Sequence, residues 1–185
     1  MFYNQFDPSV YRNTNNMTEQ NKTAVQRAES LSAKRQDILS LASDKKADAI
    51  LEYSHPAALV HSFPEEDFHF LIHEIGIEDS LELLGLASER QWEYLTDIEI
   101  WKKDMLEINS LTRWLYYFIN ANPRQTLRWC LSKKVELIEP YLFHNIDLMI
   151  REHDQDPADF GEGFFTFDDI FYIRFKDNVL NTEVR

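Results

Sequence analysis

The feature that most constrains this chain is a run of helix-start signals near positions 54, 64, 77 and 88, spaced ten to thirteen residues apart. Ser54-His55-Pro56 places proline where its missing N–H costs nothing, at the first helical position. The helix it opens would present Leu59, Val60 and Phe63. Pro64-Glu65-Glu66-Asp67 starts the next one, with acids at the positive end of the helix dipole. Phe68, Leu71, Ile72 and Ile75 then fall at i, i+3, i+4 and i+7, and Gly76 supplies a C-terminal stop. A third start at Ile77-Glu78-Asp79-Ser80 leads into Leu81, Leu84 and Leu86. Ser88-Glu89-Arg90-Gln91 has the form of a capping box, before Trp92, Leu95 and Ile98. A helix of two or three turns cannot bury its own apolar stripe, so these segments must stack on one another. The spacing therefore predicts a right-angled or superhelical array over 54–99.

Periodicity extends the helical reading in both directions. Ala24, Ala28 and Leu31, followed by Ile38, Leu41 and Ala42, have helical spacing, and Asp44 can cap a short helix carrying Ala47, Ile50 and Leu51. Residues 1–17 are polar and Asn-rich, with Phe2, Tyr3, Phe6 and Tyr11 scattered among them, and read as a flexible arm. Met105, Ile108, Leu111, Leu115, Phe118 and Ile119 mark a longer helix ending near Asn120. Asn122-Pro123 restarts the chain, with Leu127, Cys130 and Leu131 expected inward. The reading continues helical from Val135 to Ile150, with a kink or restart at Pro140. His153 to Gly163 reads as a loop, and 164–175 as a β-hairpin with Phe171, Ile173 and Phe175 on one face. Such a hairpin either packs on the body or awaits a partner or a further downstream segment. The expected fold is mainly α: an arm over 1–17, then one helical domain over 18–185 containing the array and ending in the small hairpin.

Composition narrows the function classes. Hydrophobic residues at 44% and aromatics at 14% supply ample core, while only four glycines disfavour a fold built from many tight turns. The single cysteine, Cys130, lies in an apolar run and reads as a buried, inert thiol in a reducing, cytoplasmic compartment. No signal-peptide pattern opens the chain, and Trp114–Ile119 is far too short to span a bilayer. The net charge of −13 is uneven: 54–99 holds 11 acids and one base, whereas 100–140 holds seven bases and four acids. Nucleic acid is thereby disfavoured as a partner, because phosphate binding needs clustered positive charge. An acidic array beside a basic segment can also pair within the fold or between chains.

The segment His55-Pro56-Ala57-Ala58-Leu59-Val60, with Phe63-Pro64-Glu65-Glu66, Leu83-Leu84 and Ser88-Glu89-Arg90-Gln91, resembles the cytosolic N-terminal superhelical domain of MgtE-type magnesium transporters. A similar array occurs in the flagellar motor switch protein FliG. The resemblance covers about residues 50–99 and implies architecture first. It also implies divalent cations as one class of ligand. The chain is similar, too, to larger bacterial proteins of unknown role that carry this module, which implies that it is an N-terminal piece. Neither a transmembrane part nor a pair of regulatory nucleotide-binding domains accompanies the array here.

Several constellations invite a chemical reading. His69 and His73 are i, i+4 on one helix with Glu66 a turn earlier, a spacing compatible with zinc. Glu74 follows the second histidine, so the metalloprotease pattern is absent, and the pair is expected to hold no metal. Asp154-Gln155-Asp156-Pro157-Ala158-Asp159 fails as a calcium loop, with Asp159 where glycine is required and Phe165 where glutamate is required. Trp101, Trp114 and Trp129 alternate with Lys102, Lys103, Arg113, Arg124, Arg128, Lys133 and Lys134, a pattern that can stack single-stranded bases. The tryptophans are expected in the core instead, with the bases as a solvated rim. No catalytic set is visible, and no cofactor is expected.

The expected role is therefore a non-catalytic interaction or regulatory scaffold with a protein partner and no membrane insertion, homo-oligomerisation being compatible. A divalent-cation sensor is the second reading, using Glu65, Glu66, Asp67, Glu74, Glu78, Asp79 and Glu82. A fragment of an enzyme completed elsewhere is the third.

Overall fold

The computed structural model describes the backbone over residues 8–176 and the side chains from residue 24 onward. It is mainly helical with a small antiparallel sheet near the C-terminal end, and it divides into two compact units, Met1–Leu95 and Thr96–Arg185. The single domain expected over 18–185 does not anticipate that division.

The first unit holds α1 (Pro8–Leu39), α2 (Ser43–Leu51), α3 (Pro56–Ser62), α4 (Glu65–Ile75), a 3₁₀ turn at Glu78–Ser80, α5 (Leu81–Leu86) and the start of α6 (Glu89–Glu99). Helix α1 corrects one expectation, because residues 8–17 are helical and not an arm; residues 1–7 lie outside the described residues. A helix of 32 residues outlasts the local signals, since its first two turns lack an apolar stripe of their own. The four short-helix starts fall close to where the sequence puts them. Pro56 occupies the first turn of α3, and Gly76 closes α4 with φ of 109°, a value that a side chain rarely tolerates.

Packing runs between helices two apart as well as between neighbours: α1 meets α3, α2 meets α4, and α3 meets α5. Phe68, Leu71 and Ile72 of α4 are buried, as are Leu59, Val60, Phe63, Trp92 and Leu95. In α5 the inward pair is Leu83 and Leu84, while Leu81 and Leu86 are half-buried. The intervening 3₁₀ turn rotates α5 relative to a simple extrapolation from its start signal. The capping box forms: Ser88 N–H donates to Gln91 Oε1 at 2.9 Å, and Gln91 N–H donates to Ser88 Oγ at 3.3 Å. The Gln91 amide then donates from Nε2 to the carbonyls of Val60 (2.8 Å) and Phe63 (3.0 Å). One buried side chain thus caps its own helix and closes the end of α3. Trp92 Nε1 donates to Leu84 O at 2.9 Å, tying α6 to α5.

In the second unit the end of α6 is followed by a tight hairpin of β1 (Trp101–Lys102) and β2 (Met105–Leu106), whose turn residues Lys103 and Asp104 both have positive φ. Two consecutive left-handed residues are what a type I′ turn requires, yet neither is glycine or asparagine, so sequence gives no cue. Trp101 is exposed in β1 and not core. Three helices follow: α7 (Ile108–Ala121), α8 (Pro123–Lys133) and α9 (Val135–Asn145), each packed against the other two. Glu107 caps α7 through Ser110 N–H at 2.8 Å, and Asn122 caps α8 through Gln125 N–H at 3.2 Å. Trp114, Phe118, Trp129, Cys130 and Leu137 form the core among them. Pro140 sits inside α9 without ending it.

Two expectations for this unit are corrected. Leu127 and Leu131 face outward, because α8 turns Thr126, Trp129 and Cys130 inward instead. Tryptophan brings roughly 150–250 Å² of surface, more than either leucine, and so sets the rotation. The Thr126 hydroxyl is accommodated by donation to the carbonyls of Phe118 (2.7 Å) and Asn122 (2.8 Å). Beyond Asn145 the chain is a strand and not helix: β3 (Ile146–Ile150) pairs antiparallel with β5 (Phe171–Phe175), which also pairs with β4 (Phe165–Thr166). The sheet order is β3-β5-β4, with the 3₁₀ turn Pro157–Phe160 in the connection. The hairpin over 164–175 is thus present and gains a third strand.

Candidate functional site

The register of the sheet sorts its side chains into two unlike faces. Ile146 opposes Phe175, Leu148 opposes Ile173, Ile150 opposes Phe171, and Phe165 also opposes Ile173. Directly opposed residues point the same way, so all seven share one face without a charged member. That face is open: Leu148 is 55% exposed, Ile150 62%, Phe171 44% and Phe175 48%. Phe165 stacks on Phe175 at 5.9 Å between ring centroids, and Phe167 meets Phe165 edge-on at 5.5 Å.

The opposite face is partly covered within the unit, with Tyr172 buried and its neighbour Met149 left 42% exposed. Phe160 stacks on buried Tyr172 at 4.2 Å, and Arg174 lies over the Phe164 ring at 4.5 Å. Arg174 also donates to Asp147 across the β3–β5 pair at 2.7 Å. Gly163, with φ of 85°, allows this approach, because a Cβ there would stand 3.3 Å from Arg174 Cδ. The connection Arg151–Phe164 therefore supplies the aromatic cover for one face and leaves the other bare.

The turn between β4 and β5 is fixed by its own polar groups. Asp168 accepts from the N–H groups of Ile170 (3.0 Å) and Phe171 (2.9 Å), and these bonds hold its carboxyl below the usual range. Asp169, at φ of 60°, accepts from Tyr172 Oη at 2.5 Å and pairs with Arg151. The Tyr172 hydrogen bond first, and the charge of Arg151 after it, hold Asp169 low; the same bond pushes the Tyr172 phenol up. These groups are committed to shaping the turn, which presents Phe167 and Ile170 to solvent. Chemically, the face can bury apolar surface against a partner.

The seven acids of the cation reading sit on three successive segments. Glu65, Glu66 and Asp67 open α4, Glu78 and Asp79 open the 3₁₀ turn, and Glu82 opens α5. Glu74, later in α4, accepts from Lys46 Nζ at 2.6 Å and from Ser43 Oγ at 3.2 Å. The Lys46 hydrogen bond is the main cause of its lowered pKa, and Lys46 itself is only 2% exposed. Glu65 lies 3.4 Å from Arg90 Nε. Among the described residues, no three of these seven bring their oxygens together as one ion would require. Apart from Glu74, their positions match the helix-dipole use of acids in first turns.

His69 and His73 do meet: their rings lie 4.5 Å apart at 61°, with ring nitrogens within 4.8 Å of one another. Tyr94 and Phe70 flank His69 at 6.0 and 5.6 Å, so the pair is part of an aromatic cluster. Trp114 and Trp129 are core, and Arg113, Arg124 and Arg128 are exposed around them. Cys130 is buried, and burial pushes its thiol up to about 11, which keeps it from acting as a nucleophile at neutral pH. The Asp154–Asp159 stretch leads into the 3₁₀ turn, where Asp156 accepts from Ala158 N–H at 2.9 Å.

A family model described as DUF6178, a family of unknown function, matches residues 22–185. The chain belongs to this family. No curated protein and no solved structure matches the chain. The DUF6178 match spans both units, and it carries no magnesium-transporter relationship. Among the described residues no helix is long and apolar enough to cross a membrane.

Three of the seven residues on the open sheet face escape the sequence reading. Phe171, Ile173 and Phe175 are legible as an alternating strand, but Ile146, Leu148 and Ile150 are absorbed into the helix expected over 135–150. Their own alternation is the signal that would have found them.

Proposed function

We propose that this DUF6178 member is a non-catalytic protein-interaction or regulatory scaffold, and that the open face of its β3-β5-β4 sheet is where a partner protein docks. The observation that carries the reading is the exposure of Leu148, Ile150, Phe171 and Phe175 together on one face. Contiguous apolar patches rimmed by polar groups mark interaction sites, since leaving them in water forfeits roughly 25 cal/mol per Å² of burial. The two-residue edge strand β4 and the hydrogen-bonded turn at Asp168 hold the face in one shape before any partner arrives, which lowers the ordering cost of binding.

The compartment in this reading is the cytoplasm, where a lone buried thiol such as Cys130 stays reduced. Nucleic acid is not the partner, given the net charge of −13. The cation-sensor reading draws less support, because Glu74 is already held by Lys46 and the other acids stand apart.

The test is a photocrosslinking amino acid placed at Leu148 in cells making the full protein. A discrete crosslinked protein is expected, lost when Phe171→Ser and Phe175→Ser are introduced together while the circular dichroism stays unchanged. Absence of a crosslink, or a pattern indifferent to the double substitution, removes the reading.

A further inference from the structure

Two exposed helix faces in this chain are complementary in both charge and shape of chemistry, and neither takes part in the sheet-face reading. Helix α8 buries Thr126, Trp129 and Cys130, so the opposite arc carries Arg124, Leu127, Arg128 and Leu131. Leu127 is 58% exposed and Leu131 67%, and no acid lies within the helix. Arg128 follows directly on Leu127 and precedes Leu131 by one short step, so the apolar pair is bordered by positive charge along its length.

Helix α4 has the inverse arrangement. It buries Phe68, Leu71 and Ile72, and its outer arc carries Glu66, Asp67 and Phe70. Phe70 is 61% exposed, one turn beyond the two acids. Both helices have 11 residues, about 16 Å at 1.5 Å per residue, so their outer arcs match in length. A leucine pair with a gap at i, i+4 forms a hole on a helix surface, and a single aromatic ring forms a knob.

We infer that α8 of one molecule docks against α4 of a second copy of this chain, with Phe70 seated between Leu127 and Leu131 and with Arg124 and Arg128 facing Glu66 and Asp67. The charge complementarity is what selects the occupant. A chain carrying −13 repels its own copies on average, so association needs a local basic surface to receive an acidic one, and α8 is that surface. The apolar contact supplies affinity, while the charges set register and make the association sensitive to salt.

Sedimentation equilibrium on the full chain decides the matter. Concentration-dependent self-association is expected, weakened at high ionic strength. Arg124→Glu with Arg128→Glu should raise the dissociation constant by roughly tenfold, the scale of reversing two partly exposed pairs. Glu66→Lys with Asp67→Lys should do the same, and mixing the two charge-reversed proteins should restore association as a heterodimer. All four positions are exposed, and circular dichroism with thermal melting checks that the α4 reversal, which puts positive charge at a helix N-terminus, leaves the fold intact. A protein that stays monomeric over the whole concentration range overturns the inference, and so does association indifferent to both reversals. A monomer that instead binds vesicles of acidic phospholipid through Arg124 and Arg128 also overturns it. None of these outcomes touches the crosslink at Leu148, so this inference and the sheet-face reading fail separately.

Discussion

The short helices α3 to α6 bury most of their apolar residues, Phe70 and Ile98 excepted, whereas the sheet β3-β5-β4 leaves one apolar face largely open. In the helices, Leu59, Val60, Phe68, Leu71, Ile72, Leu83, Leu84 and Trp92 are all buried, and acids decorate the first turns outside. In the sheet, the apolar face carries seven residues and stays largely open, while the other face receives the cover of Phe160 over Tyr172. Hydrophobic sequence thus contributes to stability in one region and stays available in the other. Burial is what separates them: an apolar residue contributes to folding only when the fold brings something to cover it.

Substitutions should expose that contrast, starting with the largest effect. Trp92→Ala removes a fully buried ring and its hydrogen bond to Leu84 O, and should cost about 3–5 kcal/mol in chemical denaturation. A loss under about 1 kcal/mol would mean that the array is not held by packing of this kind. Gln91→Ala comes next. It leaves the carbonyls of Val60 and Phe63 buried without their donor and should cost about 1–3 kcal/mol in the same measurement. Gln91→Glu should be worse than Gln91→Ala, since it replaces the donor with a buried charge facing two carbonyls.

The Lys46–Glu74 pair predicts how the first unit responds to acid. The Glu74 carboxyl is held below its ordinary value of 4.5 by the Lys46 hydrogen bond. Its contribution is therefore fully present above the unfolded-state pKa and is lost as pH falls through the lower folded-state value. Melting temperature followed from neutral pH down through the carboxylate range should show this loss, and Glu74→Gln should flatten that part of the profile while lowering stability at neutral pH. An unchanged profile in Glu74→Gln would assign the acid sensitivity to other carboxylates.

The smallest stability effect belongs to the sheet face. Leu148→Ser and Phe171→Ser should each change stability by only about 0.5 kcal/mol in either direction, because these side chains already meet water. A cost of several kcal/mol would show that the face is covered in solution, and the comparison with α3–α6 would collapse.

The legible parts of this protein are those whose signals are local. Pro56, the acids after Pro64, Gly76 and the Ser88/Gln91 box fix where four short helices begin and end, because caps and dipoles act within one turn. The alternation of Phe171, Ile173 and Phe175 likewise marks a strand by itself. Residues such as Leu127 and Ile146 are illegible for the converse reason. Leu127 and Leu131 have the spacing of a core pair, yet Trp129 takes the inward arc because it buries more.

What the sequence alone determined is the helical class, the boundaries of the short helices and the placement of acids at their starts, all consequences of interactions spanning four residues or fewer. Tertiary structure decided the rest. Ile146–Ile150 is a strand because β5 lies more than twenty residues downstream to receive it, with Asp147 meeting Arg174 across the pair. Non-local pairing outweighs local helical preference wherever a partner strand supplies both the backbone hydrogen bonds and the matching side chains. The open apolar face exists only in that paired state, since its seven members come from three separate stretches of chain that no local rule brings together.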